Sequence, residues 1–169
     1  MKKILLFSLL LILSGCTHLY KMYEYEGADL ESKFGSIGIS VSGTWNEISK
    51  DPEVTELTSP YTIRIGFITP DKPDEEVMIK VISVGPSLEK VNYYKANETG
   101  ITKKTFAYQS ESNSSWYAVV ISNIQPEHQP LTLKFEFHYR GSIEYYEVVL
   151  KPKYWEEHRS NFYDGIMSV

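Results

Sequence analysis

A single cysteine in 169 residues removes two chemistries at once. One thiol cannot close a disulfide within the chain, and the thiolate clusters that hold zinc or iron–sulfur centres are excluded. Positive charge is also scarce: 17 Lys and Arg stand against 22 Asp and Glu, a formal charge of −5. That balance argues against nucleic acid or anionic lipid as a partner recognised by bulk charge. Glycine is sparse, with 10 residues, and Gly35-Ser36-Ile37-Gly38 lacks both the spacing and the lysine of a phosphate-binding loop. Those glycines read instead as relief at a strand edge or bulge. The longest apolar segment, Ile4 to Leu13, interrupted only by Ser8, is shorter than the roughly 20 residues a spanning helix needs. Neither an internal repeat nor a low-complexity tract is present.

Reactive constellations are missing too. His18, His128, His138 and His158 are dispersed, and none has the spacing of a zinc site. Glu136 with His138, and Glu156-Glu157-His158, read as solvated polar faces. Asp71-Lys72-Pro73-Asp74-Glu75-Glu76 lacks the alternating ligands and the glycine of a calcium loop, and reads as a solvated turn. No serine sits in a glycine-flanked nucleophile elbow. Carboxylate pairs for glycoside cleavage are set by the fold, so the 22 acidic residues decide nothing. Asn97-Glu98-Thr99 and Asn113-Ser114-Ser115 match a glycosylation pattern but read as surface loops. The expectation is a non-catalytic protein with no metal and no cofactor.

What the chain does contain is alternation. Ile37, Ile39 and Val41 form one apolar face; Tyr61, Ile63, Ile65 and Phe67 another; Val77, Ile79 and Val81 a third. A period of two marks half-buried strands. The clearest run, Leu131, Leu133, Phe135, Phe137 and Tyr139, interleaves with Thr132, Lys134, Glu136, His138 and Arg140. Arg140-Gly141-Ser142 separates it from Ile143 to Leu150, and Gly141 can supply the positive φ of a tight turn, so 131–151 reads as a hairpin. Weaker strands fit 105–109 and 116–123. Stretches rich in turn formers lie between the runs at 69–74, 110–115 and 125–130. About seven strands with such punctuation predict one all-β domain, an immunoglobulin-like β-sandwich, and the uneven connections favour two sheets over a closed barrel. Ser87 to Ala96 fits a short helix or an irregular crossover.

The two ends carry less pattern. Thr17 to Lys33 holds Tyr20, Tyr23 and Tyr25 but few of the residues that make a flexible tether. It is expected as an aromatic stalk over 16–33, docked onto a domain spanning 34–169. After Pro152, Trp155 and Phe162 lie seven positions apart, which predicts a short amphipathic C-terminal helix packed on the sandwich.

Aromatic residues are abundant: 13 Tyr, 7 Phe and 3 Trp. Several are adjacent, namely Tyr93-Tyr94, Trp116-Tyr117, Tyr145-Tyr146 and Tyr154-Trp155. Neighbours on a strand point to opposite faces, so one member of each pair should lie outside the core. These eight residues are the candidate binding aromatics, because exposed Tyr and Trp supply rigid contact area with a polar handle.

The chain opens Met1-Lys2-Lys3, continues through Ile4 to Leu13 and reaches Leu13-Ser14-Gly15-Cys16. A positive n-region, a short apolar segment and small residues before a cut are the layout of a secretory signal. Ending in cysteine, it resembles a bacterial lipoprotein signal. The resemblance implies removal of residues 1–15, lipidation of Cys16 and firm membrane anchoring by its acyl chains. Lys2 and Lys3 are the only charged residues before Cys16, so the remaining 154 residues carry 15 basic and 22 acidic groups, a charge of −7. It also implies a cell-envelope location. Thr17 rather than aspartate after the cysteine favours the outer membrane in a cell with two. The functional expectation is an anchored lipoprotein that binds an envelope protein or supports an assembly. Alternatives are a carbohydrate- or small-ligand-binding lipoprotein using exposed aromatics, and an envelope hydrolase.

Overall fold

The computed structural model describes residues 17–48, 51, 53–69, 77–87, 91–93, 106–109 and 115–160. Within them the chain is all-β. Ten strands follow in order: β1 (Thr17–Tyr25), β2 (Ala28–Ser32), β3 (Gly35–Glu47), β4 (Val54–Thr69), β5 (Met78–Pro86), β6 (Phe106–Gln109), β7 (Ser115–Ile124), β8 (Leu131–Tyr139), β9 (Ser142–Leu150) and β10 (Pro152–Ser160). One sheet has three strands in the order β5-β8-β9. The other has seven: β10-β1-β4-β3-β2 form a path, and β7 joins β4 and carries β6 on its far side.

The two sheets pack through their alternating apolar faces. Leu131, Leu133, Phe135, Phe137 and Tyr139 of β8 are all buried and meet Ile63, Ile65 and Phe67 of β4, with Ile37 and Ile39 of β3, in one contiguous core. Phe67 lies 4.6 Å from Phe137, ring centre to ring centre. The register explains the packing: Ile37 stands opposite Phe67 and Ile39 opposite Ile65, and residues directly opposed across a ladder share a face. At roughly 25 cal/mol per Å² of apolar area removed from water, this shared face is the main source of cohesion.

The hairpin β8–β9 forms at the expected place. Arg140 and Gly141 both have positive φ, 50° and 68°, as a two-residue turn matched to strand twist requires. Tyr139 then pairs with Ser142 and the ladder runs unbroken to Leu131 and Leu150.

Three strands lie beyond the alternating runs. The segment expected as an aromatic stalk forms β1 and β2, which belong to the seven-stranded sheet. The expected C-terminal helix is corrected over 152–160: these nine residues form β10, antiparallel to β1 from Thr17↔Ser160 to Tyr25↔Pro152. Nine ladder pairs outweigh the helical spacing of two aromatics, and Pro152 is tolerated as the first residue of an edge strand. Residues 161–169, with the remaining aromatics of the tail, lie outside the described residues. So do Cys16 and the residues before it, Tyr94 and the acidic turn at 70–76. Of the expected crossover, only Ser87 and 91–93 are described; the latter lie beside β5, with Tyr93 N donating to Val84 O at 2.7 Å.

The longest strand, β4, changes neighbours along its length. Its second half, Tyr61 to Thr69, pairs with β7; its first half, Val54 to Leu57, pairs in parallel with β1. β3 flanks both halves, with a register shift between Ser42 and Thr44. Gly43 sits at that shift, where a Cβ would come within 2.8 Å of Thr58 O. Only a residue without a side chain fits there.

Candidate functional site

The basal part of the seven-stranded sheet, where β1 and β10 join the first half of β4, gathers aromatic side chains into one place. Three ladders set a cross-strand row. Trp45 of β3 is opposite Leu57 of β4, Leu57 is beside Met22 of β1, and Met22 is opposite Trp155 of β10. Met22 is 1% exposed and Leu57 9%, whereas Trp45 is 51% exposed and Trp155 37%. Two buried aliphatic side chains therefore floor a row whose ends are tryptophans, about 14 Å apart at the usual strand spacing.

The next row brings Tyr20 and Thr55 together with Glu47 and Glu157. Tyr20 meets Trp45 edge to face, at 5.7 Å and 89°. Arg159 lies 4.8 Å over the Tyr20 ring and is held by Glu157 at 2.8 Å, which keeps the Glu157 carboxyl below its usual range. A cation over an aromatic face is an attractive pair even near solvent. His18 completes this end, with its ring Nε2 2.7 Å from Thr55 Oγ1. Glu24 accepts from Trp155 Nε1 at 2.7 Å, which uses the indole's one donor and fixes its orientation.

The opposite face of β10 is aromatic as well. Tyr154 is 47% exposed and packs 4.8 Å from Tyr23; its hydroxyl donates to Glu156, which pushes its pKa up. Tyr154 and Trp155 are neighbours on one strand and point to opposite faces, and both are exposed. The edge at β10 is thus covered on neither side.

Hydrogen bonds tie this base to the rest of the domain. Tyr25, buried at the end of β1, donates to Glu127 O at 3.2 Å and Gln129 O at 3.0 Å in the loop before β8. Burial, then the neighbouring Tyr61, raises its pKa to about 12. His128 in the same loop donates to Glu24 O at 3.0 Å, and Tyr61 donates to Tyr23 O at 2.7 Å. The contacts of Tyr25 and His128 pin the loop to β1, and that of Tyr61 ties β4 to β1; a hydrogen bond of this kind contributes about 1 kcal/mol net.

The sequence-predicted aromatics do not form one patch. Tyr154 and Trp155 belong to the base. Tyr145 is 71% exposed but stands alone on the outer face of the three-stranded sheet, while Tyr146 stacks on Phe135 at 5.1 Å and 21°. Tyr146 also donates to Glu144 at 2.5 Å and to Glu31 O at 3.1 Å, and its pKa is pushed up to about 12 by burial and then by that carboxylate. Tyr117 is buried, and Tyr93 is partly buried against the core. Trp116 lies in β7, with its side chain outside the described residues, as is the whole of Tyr94. Trp45, Tyr20, Met22 and Leu57 are the residues that sequence reasoning missed as members of a site. Trp45 follows the register shift at Gly43, so no alternating run announces it.

A second concavity, of about 290 Å³, lies on the outer face of the three-stranded sheet between Ser83, Ser87, Asn92, Thr132, Lys134 and Glu147. Its polar groups are largely spent on one another: Lys134 pairs with Glu147 at 2.9 Å, Thr132 Oγ1 donates to Ser87 Oγ at 2.9 Å, and Asn92 Oδ1 accepts from Val84 N. Beside it, Glu136 accepts from His138 at 2.8 Å and from Lys80 at 3.3 Å, and these bonds, His138 first, hold its carboxyl below the usual range. Among the described residues no three His, Cys, Asp or Glu groups gather as a metal site would need. Nor is any helix among them long and apolar enough to cross a membrane. Comparisons with protein families, with curated proteins and with solved structures find no match to this chain.

Proposed function

We propose that this protein is a non-catalytic lipoprotein of a bacterial cell envelope, anchored through Cys16, whose aromatic base binds an envelope protein partner. One observation carries the reading: Thr17, the residue after the cysteine, is already the first residue of β1. Consecutive Cα atoms are about 3.8 Å apart, so the acyl chains would hang from the sheet itself and not from a tether. Tyr20 and Met22 lie three and five residues further, about 10 and 17 Å along the strand. The aromatic rows would then sit close to the membrane surface, open to a partner embedded in or lying on it. The outer membrane is the proposed site in a cell with two, on account of Thr17.

Protein contact is favoured over sugar by the ring geometry. Tyr20 and Trp45 meet at 89°, and Arg159 covers the Tyr20 face, so the rings do not offer the coplanar platform on which sugars stack. Tryptophans at the ends of a row with buried aliphatic neighbours are the residue type and setting of binding hot spots.

We read the seven strands β3 to β9 as an immunoglobulin-like sandwich, with β1, β2 and β10 added. The support is the strand order: β3-β4-β7-β6 in one sheet and β5-β8-β9 in the other, which is the first-second-fifth-fourth and third-sixth-seventh arrangement of that fold.

The test has two arms in the native envelope. Cys16→Ser should abolish lipid labelling and release the protein from the membrane fraction; unchanged retention overturns the anchor. A photocrosslinking residue in place of Trp45 or Trp155 should capture one stoichiometric protein. Capture of none, with glycan binding by the intact protein, overturns the partner reading.

A further inference from the structure

Among the described residues five strands lie at a sheet edge along their whole length, and β7 joins them beyond Ala118, where β6 stops; of the five, four are defended. β2 and β6 are short, with five and four residues. β10 opens on Pro152 and carries Lys153 and Arg159. β5 has a register shift between Val81 and Ser83, ends in Pro86 and is bonded at Val84 by Asn92 and Tyr93. Proline, lysine, bulges and covering segments are the usual means of keeping an edge from pairing with another chain.

β9 has no proline, lysine or bulge, and the segment nearest it, β2 with the turn that follows, meets only its side chains, Tyr146 through Glu31 O and Glu144 through Lys33 N. Its nine residues, Ser-Ile-Glu-Tyr-Tyr-Glu-Val-Val-Leu, pair with β8 without interruption. In a two-residue hairpin closed by Tyr139 and Ser142, the residues that turn their N–H and C=O away from β8 are Ile143, Tyr145, Glu147 and Val149. Among the described residues no backbone partner meets those groups. Their side chains share the outer face, where Ile143 is 50%, Tyr145 71% and Val149 51% exposed. The acidic residues do not defend the edge: Glu147 is paired with Lys134, and Glu144 takes bonds from Tyr146 and the Lys33 N–H.

We propose that the β9 edge is the pairing site for a second copy of this chain, β9 against β9 antiparallel about a two-fold axis at Tyr146. The outer face of the edge is self-complementary in that register. Ile143 would face Val149 of the second copy, Tyr145 would face Glu147, and all four outward residues would exchange bonds, about eight in total. Shifting the axis to Glu147 sets two glutamates against each other; shifting it to Tyr145 sets Ile143 against Glu147. On the outer face a like-charge or apolar-to-charge opposition costs what the Tyr146-centred register avoids, while on the inner face that register sets Glu144 beside Val148 of the second copy. The pairing would join two three-stranded sheets into one of six. It also stands apart from Thr17 and the aromatic base, which lie on the other sheet.

The experiment measures the mass of the full protein in detergent by light scattering, with bound detergent subtracted, for the parent and for the double variant Ile143→Lys/Val149→Lys. The parent should have the mass of two chains and the variant that of one, with the same circular dichroism. Chains carrying Tyr145→Cys and chains carrying Glu147→Cys, mixed and mildly oxidised, should form a mixed disulfide dimer that the parent does not. A monomeric parent overturns the proposal, as does a dimer that survives both lysines or fails to give the mixed disulfide. Loss of membrane retention or of partner capture in the variants of Cys16, Trp45 and Trp155 would leave these masses unchanged, so the two readings fail separately.

Discussion

The two halves of β4 belong to one strand and obey different rules. From Tyr61 to Thr69 the strand runs between β3 and β7 and alternates except at the buried Gly66: Ile63, Ile65 and Phe67 are fully buried while Arg64 and Ile68 are exposed. From Val54 to Leu57 it runs between β3 and β1, and the buried residues Val54 and Leu57 are three apart with half-buried polar residues between them. The stretch Tyr61–Thr69 faces the other sheet on one side and water on the other. The stretch Val54–Leu57 is part of the base, where Met22, Val54 and Leu57 are buried but stand outside the contiguous core. Alternation is therefore the mark of one dry face and one wet face, not of a strand as such. Where that asymmetry ends, the pattern ends with it.

The comparison can be broken most directly by truncation. Phe67→Ala empties a site at the centre of the sandwich and should cost about 3–5 kcal/mol in urea unfolding, whereas Leu57→Ala, nearer the edge of packed structure, should cost about 2 kcal/mol. Equal losses would mean that the base has a core of its own, as firm as the first.

A smaller effect tests the link between the two regions. Tyr25→Phe removes a hydroxyl that bonds Glu127 O and Gln129 O, and should cost about 1–2 kcal/mol. It should also change the alkaline limb of the stability curve. The folded Tyr25 hydroxyl has its pKa raised from 10.0 to about 12, so its contribution is full below pH 10 and is lost as the pH rises through about 12. Unfolding monitored across that window should be less pH-dependent in the phenylalanine variant; an identical slope would mean that burial does not hold the Tyr25 proton.

The same substitution within the sandwich should do almost nothing. Tyr139 is 2% exposed, and among the described residues its hydroxyl has no hydrogen-bond partner. Tyr139→Phe gives up no bond and spares the burial of a polar atom, so stability should hold or rise by up to about 1 kcal/mol. A marked loss would show that this hydroxyl is satisfied and that the contrast with Tyr25 is one of degree.

Legibility in the sequence follows the same division. The strands that alternate, with Leu131 to Tyr139 the plainest, are written locally: each side chain's environment repeats every second residue. The Arg140-Gly141 turn is local too, because Gly141 announces a positive φ. β1 and β10 are not, since their residues face partly covered surroundings on both sides and their mutual register joins opposite ends of the chain. Trp155 and Glu24 are bonded across 131 positions, a relation that no window of sequence contains. The spacing of Trp155 and Phe162 therefore read as helix, and the row from Trp45 to Trp155 went unseen. Of the candidate site, only its aromatic chemistry at Tyr154 and Trp155 was readable.

The pairing of the terminal strands has a mechanical consequence. Thr17 and Ser160 are opposed at one end of the β1–β10 ladder, and Tyr25 and Pro152 at the other, where both strands connect to the body. A pull on Thr17 away from the body runs along β1, so the ladder's hydrogen bonds are loaded together in shear. Pulling Thr17 and Ser160 apart instead opens the ladder one pair at a time. The domain is thus built to be strong against tension from its N-terminal side and weak against separation of its two ends.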